Sequence, residues 1–166
     1  MYDRILLAHD LSEHARPVLR AALDLGRQLH STVHILHVIT PPLTVPPGVW
    51  FTVPEMDVAH FEERIREGAE RELARSVLET TREGDPQTRI HVRLGEPSTA
   101  ILSEARKLDA TLIVLGTHGR NGWQRLMLGS VAERVLRMAP VPVLTLSAAA
   151  AQLWEGAEQL TATAEP

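Results

Sequence analysis

Apolar runs and stripes of helical period alternate along most of this chain. The runs that predict strands are, in chain order, 5–8, 33–39, 89–94, 112–115 and 142–146. Between them, apolar residues recur at helical spacing over the stretches 18–29, 55–83, 97–108 and 130–138. This alternation of strand and helix predicts a doubly wound α/β fold, in which helices cover both faces of a parallel sheet.

The segment 41–56 interrupts the alternation, because it carries five prolines. Prolines preclude a regular helix and discourage strand pairing, so we expect a semi-rigid excursion from the carboxyl end of the second strand. In one interpretation, Trp50 and Phe51 pack on the following helix. In the other, the segment is a flap over a ligand or a contact with a partner, since open α/β sheets bind ligands at this end.

The tail, residues 148–166, shifts in composition toward Ala, Glu, Gln and Thr. We expect it to be frayed or disordered, as chain ends commonly are. The alternative is a weakly amphipathic helix that docks on its own dimer through Leu153 and Trp154.

Composition narrows the class of protein. A chain of 166 residues with net charge −4 and no basic run is most simply one domain that does not bind nucleic acid. The absence of cysteine excludes disulfides and cysteine-based zinc sites. No apolar run approaches the ~20 residues that span a membrane, and Met1–Arg4 leads into a strand rather than a signal peptide. We therefore expect a cytoplasmic protein with no membrane partner.

The stretch Thr111–Arg137 carries the clearest chemical signal. An apolar run ends at Gly116, a glycine-punctuated loop follows, and Gly129 and Ser130 stand at the head of a helical pattern. Glycines let a ligand approach the backbone closely. The first N–H groups of a helix lack partners within the helix and favour an anion. Strand, glycine loop and helix together predict a phosphate-binding site.

The glycine spacing in this stretch, G-x2-G-x9-G-[ST], resembles the nucleotide-binding signature of the universal stress protein family. The resemblance covers residues 1–147 and is carried by the segments Arg4–Ser12, Gly116–Arg120, Leu128–Ala132 and Pro140–Leu144. It implies a Rossmann-like sheet of five parallel strands in the order 3-2-1-4-5, with bound ATP and a homodimer.

The implied strand order predicts where the site lies. The winding reverses between the first and fourth strands, and doubly wound sheets bind ligands at that point. Asp10 ends the first strand and Gly116 ends the fourth, so the two motifs should meet there. Asp10 can accept hydrogen bonds from ribose hydroxyls, and the family places its matching aspartate against the nucleoside. Alternatively, Asp10 or Ser12 caps the next helix.

The glycine-rich stretch should hold the phosphates. Gly116 and Gly119 leave room for the ribose and the phosphates beside the backbone. The helix N-terminal amides of Gly129, Ser130 and Val131 face the phosphates, and the hydroxyl of Ser130 adds a donor.

Other residues at the strand ends should complete the pocket. The resemblance implies that Val38 contacts adenine through its backbone. Ala8 and Leu115 are expected to line the same pocket. Arg120 and Arg125 either supply positive charge to the phosphates or lie on a solvated loop.

Three histidines lie at predicted strand ends, His9, His37 and His118. A metal cluster among them is conceivable, but His9 and Asp10 should point to opposite faces of the sheet and no metal-ligand spacing is present. We predict no protein-held metal site. His118 lies inside the family motif and should line the nucleotide site, where Mg²⁺ or Mn²⁺ accompanies the phosphates.

The final strand, 142–146, should lie at a sheet edge although it carries no charge. A bare apolar edge invites pairing with another chain, so we predict a two-fold dimer through this strand, as the resemblance also implies.

These features favour an ATP-binding regulatory or protective protein of the universal stress type. No Walker lysine motif or dedicated acid pair is present, so any ATPase activity should be slow. A nucleotidyl transferase or ATP pyrophosphatase is disfavoured, because residues 8–12 lack the glycines of those enzymes' motifs. The remaining alternative is a dimeric scaffold without nucleotide, which the intact glycine pattern disfavours.

Overall fold

The computed structural model describes residues 1–40, 58–117 and 128–154. In chain order the elements are β1 (Arg4–Ala8), α1 (Ala15–Gln28), β2 (Thr32–Ile39), α2 (Val58–Thr80), β3 (Thr88–Leu94), α3 (Pro97–Lys107), β4 (Leu112–Gly116), α4 (Ser130–Met138) and β5 (Val143–Leu146). The strands form one parallel sheet in the order β3-β2-β1-β4-β5. The predicted fold class and strand order are therefore confirmed.

Alternation along the central strands divides the core into two clusters, one on each face of the sheet. Ile5 and Leu7 of β1 belong to the first core cluster, with apolar residues of α1 and α2. Leu6 belongs to the second core cluster, with α3 and α4, and Ala8 packs against that cluster. Because β1 is covered on both faces, its sequence is continuously apolar, as buried parallel strands usually are.

The tail begins as a helix, since residues 148–154 are helical. Ala151 is fully buried in the first core cluster, and Trp154 packs against that cluster, whereas Leu153 remains exposed. Residues 155–166 lie outside the described residues, as do residues 41–57, which include the proline-rich segment 41–56. Within the described ranges, no helix is long and apolar enough to cross a membrane.

The alternative in which Asp10 or Ser12 caps α1 was wrong. The helix begins at Ala15, and the residue at its N-cap, His14, makes no capping hydrogen bond through its side chain. The Asp10 Oδ1 atom instead accepts the Ser12 N–H at 3.0 Å and the Ser12 hydroxyl at 2.7 Å. The carboxylate is therefore engaged in the turn before the helix, where it mimics a backbone turn.

The predicted end of α2 near residue 83 was also too late. The helix ends at Thr80, whose carbonyl accepts a hydrogen bond from Arg20 at 2.9 Å. The next turn is held separately, because the Arg82 N–H donates to Asp85 Oδ2 at 2.7 Å. A charged cluster beneath the helix end therefore fixes this boundary.

That cluster consists of the buried side chains of Arg20, Asp24 and Asp85, and we call it the ion triad. The Arg20 side chain is 2% exposed and both aspartate side chains are 1% exposed. Arg20 donates to Asp24 at 2.5 Å and to both carboxylate oxygens of Asp85 at 2.6 and 2.7 Å. The triad joins α1 to the loop before β3, across 65 residues of sequence.

Two glycines in helices should respond oppositely to alanine. A Cβ atom on Gly26 would lie 2.6 Å from Val33 and 3.0 Å from Pro86, whereas one on Gly68 would meet nothing within 4 Å. We expect Gly26→Ala to lower the free energy of unfolding by about 1–3 kcal/mol through overpacking. Gly68→Ala should raise it by about 0.5–1 kcal/mol, because alanine favours the helix. Urea denaturation measures both, and shifts of the same sign would contradict this account.

Candidate functional site

The site is built where β1 and β4 lie side by side and the winding of the sheet reverses. Leu7 pairs with Val114, and Ala8 pairs with Leu115. Beyond these pairs, β1 leads into the Asp10 turn and β4 ends at Gly116. The two segments therefore leave adjacent strands at the same edge of the sheet, as predicted for a crevice at the carboxyl ends.

Backbone hydrogen bonds tie the residue after β4 both to the end of β5 and to the start of α4. Thr117 N–H donates to the Leu146 carbonyl at 2.9 Å, and Gly129 N–H donates to the Thr117 carbonyl at 2.8 Å. Gly129 is the N-cap residue of α4. The helix N-terminus is therefore fixed beside the end of β4.

The N-terminus of α4 carries backbone amides that precede the hydrogen-bond ladder of the helix. Its first backbone bond runs from Glu133 N–H to the Gly129 carbonyl at 2.9 Å, so the amides of Ser130 and Val131 precede the helical ladder. Its N-cap residue is a glycine, and within the described part of the chain no capping hydrogen bond comes from a side chain of that residue. Free donors and the positive end of the helix dipole suit this position to an anion.

Asp10 contributes an acceptor that no described residue satisfies. Its Oδ1 atom takes both hydrogen bonds from Ser12. Its Oδ2 atom is buried and has no hydrogen-bond partner among the described residues. A buried carboxylate oxygen without a donor is costly. The turn therefore presents an acceptor that a ligand hydroxyl could satisfy.

The apolar residues predicted for the pocket share the face on which α4 begins. Leu115 is 4% exposed and belongs to the second core cluster, and Ala8, Val38 and Val131 pack against that cluster. The fold thus brings residues of three strands and one helix to the same side of the sheet. The other predicted residues, His118, Gly119, Arg120 and Arg125, lie outside the described residues.

His9 lies on the opposite face and is almost completely buried, at 3% exposure. Its Nδ1 atom accepts the Leu11 N–H at 3.1 Å, and its Nε2 atom lies 3.5 Å from the Ser76 hydroxyl on α2. Burial lowers the pKa of His9 to about 4, although Asp10 acts to raise it. The ring is therefore neutral near pH 7.

The ring nitrogens at the strand ends are used for hydrogen bonds. His37 donates from Nδ1 to the His9 carbonyl at 2.8 Å, while His9 Nδ1 is occupied by Leu11. Among residues 1–40, 58–117 and 128–154, no three histidine or acidic side chains are placed to hold a metal ion.

Glu96, which the sequence pattern did not single out, caps α3 at this edge of the sheet. Its carboxylate accepts the N–H groups of Ser98 and Thr99 at 3.1 and 2.8 Å. Hydrogen bonds from the side chains of Thr99 and Ser98 lower the pKa of Glu96 to about 2. The sequence does carry a signal for this cap, because Pro97 directly follows Glu96 and proline favours the first position of a helix.

The chain belongs to the universal stress protein family, whose model matches residues 1–147. A curated relative, universal stress protein YxiE of Bacillus subtilis, is 32% identical over 154 residues, which covers 87% of this chain and 98% of the relative.

Solved structures share the fold. The hypothetical protein MJ0577 is 24% identical, with a TM-score of 0.71 and coverage of 88% of this chain and 96% of that one. The universal stress protein from Archaeoglobus fulgidus in complex with dAMP is 24% identical, with a TM-score of 0.57 and coverage of 87% and 97%.

Proposed function

We propose that this chain is a cytoplasmic ATP-binding protein with a regulatory or protective role in the stress response. The observation that carries the proposal is the buried Oδ2 atom of Asp10, which has no partner among the described residues and lies beside a strand end to which the N-terminus of α4 is tied. The Archaeoglobus relative, whose complex contains dAMP, supports an adenine nucleotide as the ligand class.

In the proposed complex, each part of the nucleotide meets a group of matching chemistry. The adenine packs against Ala8, Val38 and Leu115, and a ribose hydroxyl donates to Asp10 Oδ2. The phosphates accept hydrogen bonds from the α4 amides, as anions do at helix N-termini. Gly119, His118 and Arg120 complete the site, and Mg²⁺ or Mn²⁺ accompanies the phosphates. Binding shifts the population of states that the dimer presents, with hydrolysis slow or absent.

Calorimetric titration of nucleotide-stripped protein with ATP, ADP, AMP and GTP, with and without Mg²⁺, tests this function. The wild type should bind adenine nucleotides. Gly129→Val should weaken ATP binding at least about tenfold, because the added side chain blocks the phosphate path; tenfold corresponds to about 1.4 kcal/mol.

The variant is a fair test, because Gly129 has φ −61° and ψ 148°, a conformation that any L-residue adopts. Ser130→Ala, which keeps the amide and removes only the hydroxyl, serves as the matched control and should weaken binding less. Failure of the wild type to bind any of these nucleotides would overturn the proposal in favour of a nucleotide-free scaffold.

We also propose that two copies pair through β5, because the two edges of the sheet differ in charge. The β3 edge alternates Arg89, His91 and Arg93 with apolar residues, whereas β5 reads Val-Leu-Thr-Leu. Charges discourage edge pairing and a bare edge invites it. Beside β5, Leu136 and Met138 of α4 are 51% and 52% exposed. Light scattering should give the mass of a dimer, and a monomer at dilute concentration would contradict this assembly.

A further inference from the structure

The turn that carries Asp10 is held in an unfavourable backbone conformation. Leu11 has φ 62°, in the left-handed region that residues with a side chain rarely adopt. Such a conformation persists only where surrounding contacts impose it. Two contacts do so here: the Asp10 carboxylate holds Ser12, and the His9 ring holds the Leu11 N–H at 3.1 Å.

His9 is itself fixed from several directions. Its N–H donates to the Leu36 carbonyl at 2.8 Å, and its carbonyl accepts from the His37 ring at 2.8 Å. Its ring reaches α2, where Ser76 lies 3.5 Å from Nε2. These contacts leave the Nδ1 atom aimed at the peptide between Asp10 and Leu11.

We propose that His9 is a positioning residue for the nucleotide site, in which an unprotonated Nδ1 atom holds the Asp10–Ser12 turn and thereby aims Asp10 Oδ2 at the ligand. The inference rests on the proposed nucleotide binding. It assigns a role to a residue that faces away from the pocket. It also links the pocket to α2, since the same ring contacts Ser76.

The proposal requires particular tautomers, because an imidazole nitrogen that accepts a hydrogen bond carries no proton. His9 must be protonated at Nε2 and His37 at Nδ1, opposite forms in two neighbouring residues. Long-range ¹H–¹⁵N correlation spectra of the wild type report both tautomers directly. A His9 ring protonated at Nδ1 would overturn the proposal whatever the affinity for nucleotide.

Two substitutions separate the acceptor from the rest of the ring. In His9→Asn the amide oxygen can occupy the position of Nδ1, so the acceptor for Leu11 is retained. In His9→Gln the amide lies near the position of Nε2, so the contact toward Ser76 is retained and the acceptor is lost. Both variants replace the imidazole ring with an open-chain amide. Circular dichroism below their melting temperatures should therefore show that both are folded before their binding is compared.

The readout is the dissociation constant for ATP with Mg²⁺. His9→Gln should bind about tenfold more weakly, the equivalent of about 1.4 kcal/mol, while His9→Asn should stay within about threefold of the wild type. Equal binding by His9→Gln and the wild type would overturn the positioning role alone. Equal loss in both folded variants would show that the acceptor is not what matters. A wild type that binds no nucleotide would overturn the proposed function, and this inference with it.

Discussion

Replacing Arg20 with methionine is expected to lower the free energy of unfolding by about 3–5 kcal/mol. The substitution removes the only cation of the ion triad. The buried carboxylates keep weaker partners, because Asp24 lies 3.5 Å from the partly exposed Arg27 and Asp85 accepts the Arg82 N–H. Desolvation acts to raise the pKa of Asp85, but hydrogen bonds from Arg20 and Arg82 outweigh it and the net pKa is lowered. Urea denaturation at pH 7 measures the loss.

The matched control lies one turn earlier on the same helix. Arg16 donates to Glu79 at 2.7 Å, but the two side chains are 53% and 44% exposed. Exposed pairs contribute about 0–1 kcal/mol, so Arg16→Met should change stability little. A loss below about 1 kcal/mol in Arg20→Met, or an equal loss in both variants, would refute the importance given to burial.

Acidification is expected to destabilise the protein through His9. Its pKa is about 4 in the folded protein and near 6.5 in the unfolded chain. Between these values the unfolded chain binds more protons, so the free energy of unfolding falls as the pH drops from 6.5 to 4. The contribution of His9 reaches about 3 kcal/mol, at about 1.4 kcal/mol for each unit of pKa difference. Below pH 4, protonation of His9 should lower the free energy of unfolding no further.

The comparison with His9→Asn isolates this contribution. Burial also lowers the pKa values of His34 and His91, so both proteins should lose stability in acid. The charged and titratable groups near His9 are Asp10, His37 and Arg16, and all are retained in the variant. Urea denaturation from pH 7 to pH 4 should give a shallower decline for His9→Asn, and parallel curves would contradict the assignment.

The strongest local signals predicted their elements well. The bounds of α4 match the prediction, because Gly129 and the apolar spacing both mark the start of this helix. The parallel sheet followed from the alternation of apolar runs and helical stripes. The strand order did not follow from that pattern, since several orders satisfy right-handed crossovers, and it came from the family resemblance.

Contacts between distant residues could not be predicted. Arg20 sits among apolar helix positions, and nothing in its neighbourhood indicates that Asp85 will meet it across 65 residues. The local sequence of Asp10 favoured the ligand contact but left the helix cap open. The turn geometry excludes the helix cap and leaves the ligand contact as a proposal. The acceptor role of His9 depends on a backbone conformation at Leu11 that leucine rarely adopts.

The contrast between the two sheet edges has a consequence for the size of any assembly. If both edge strands of a sheet can pair, copies add at both edges and the assembly grows into a fibre. If only one edge strand pairs, the isologous contact closes after two copies. The arginines of β3 stand on the outward edge of each half. Joining two sheets through β5 would give one continuous ten-stranded sheet, twice the five of a single chain, with a basic strand at each end. Assembly would therefore stop at the dimer. Replacing Arg89 and Arg93 with neutral residues would allow further copies to pair at the β3 edges.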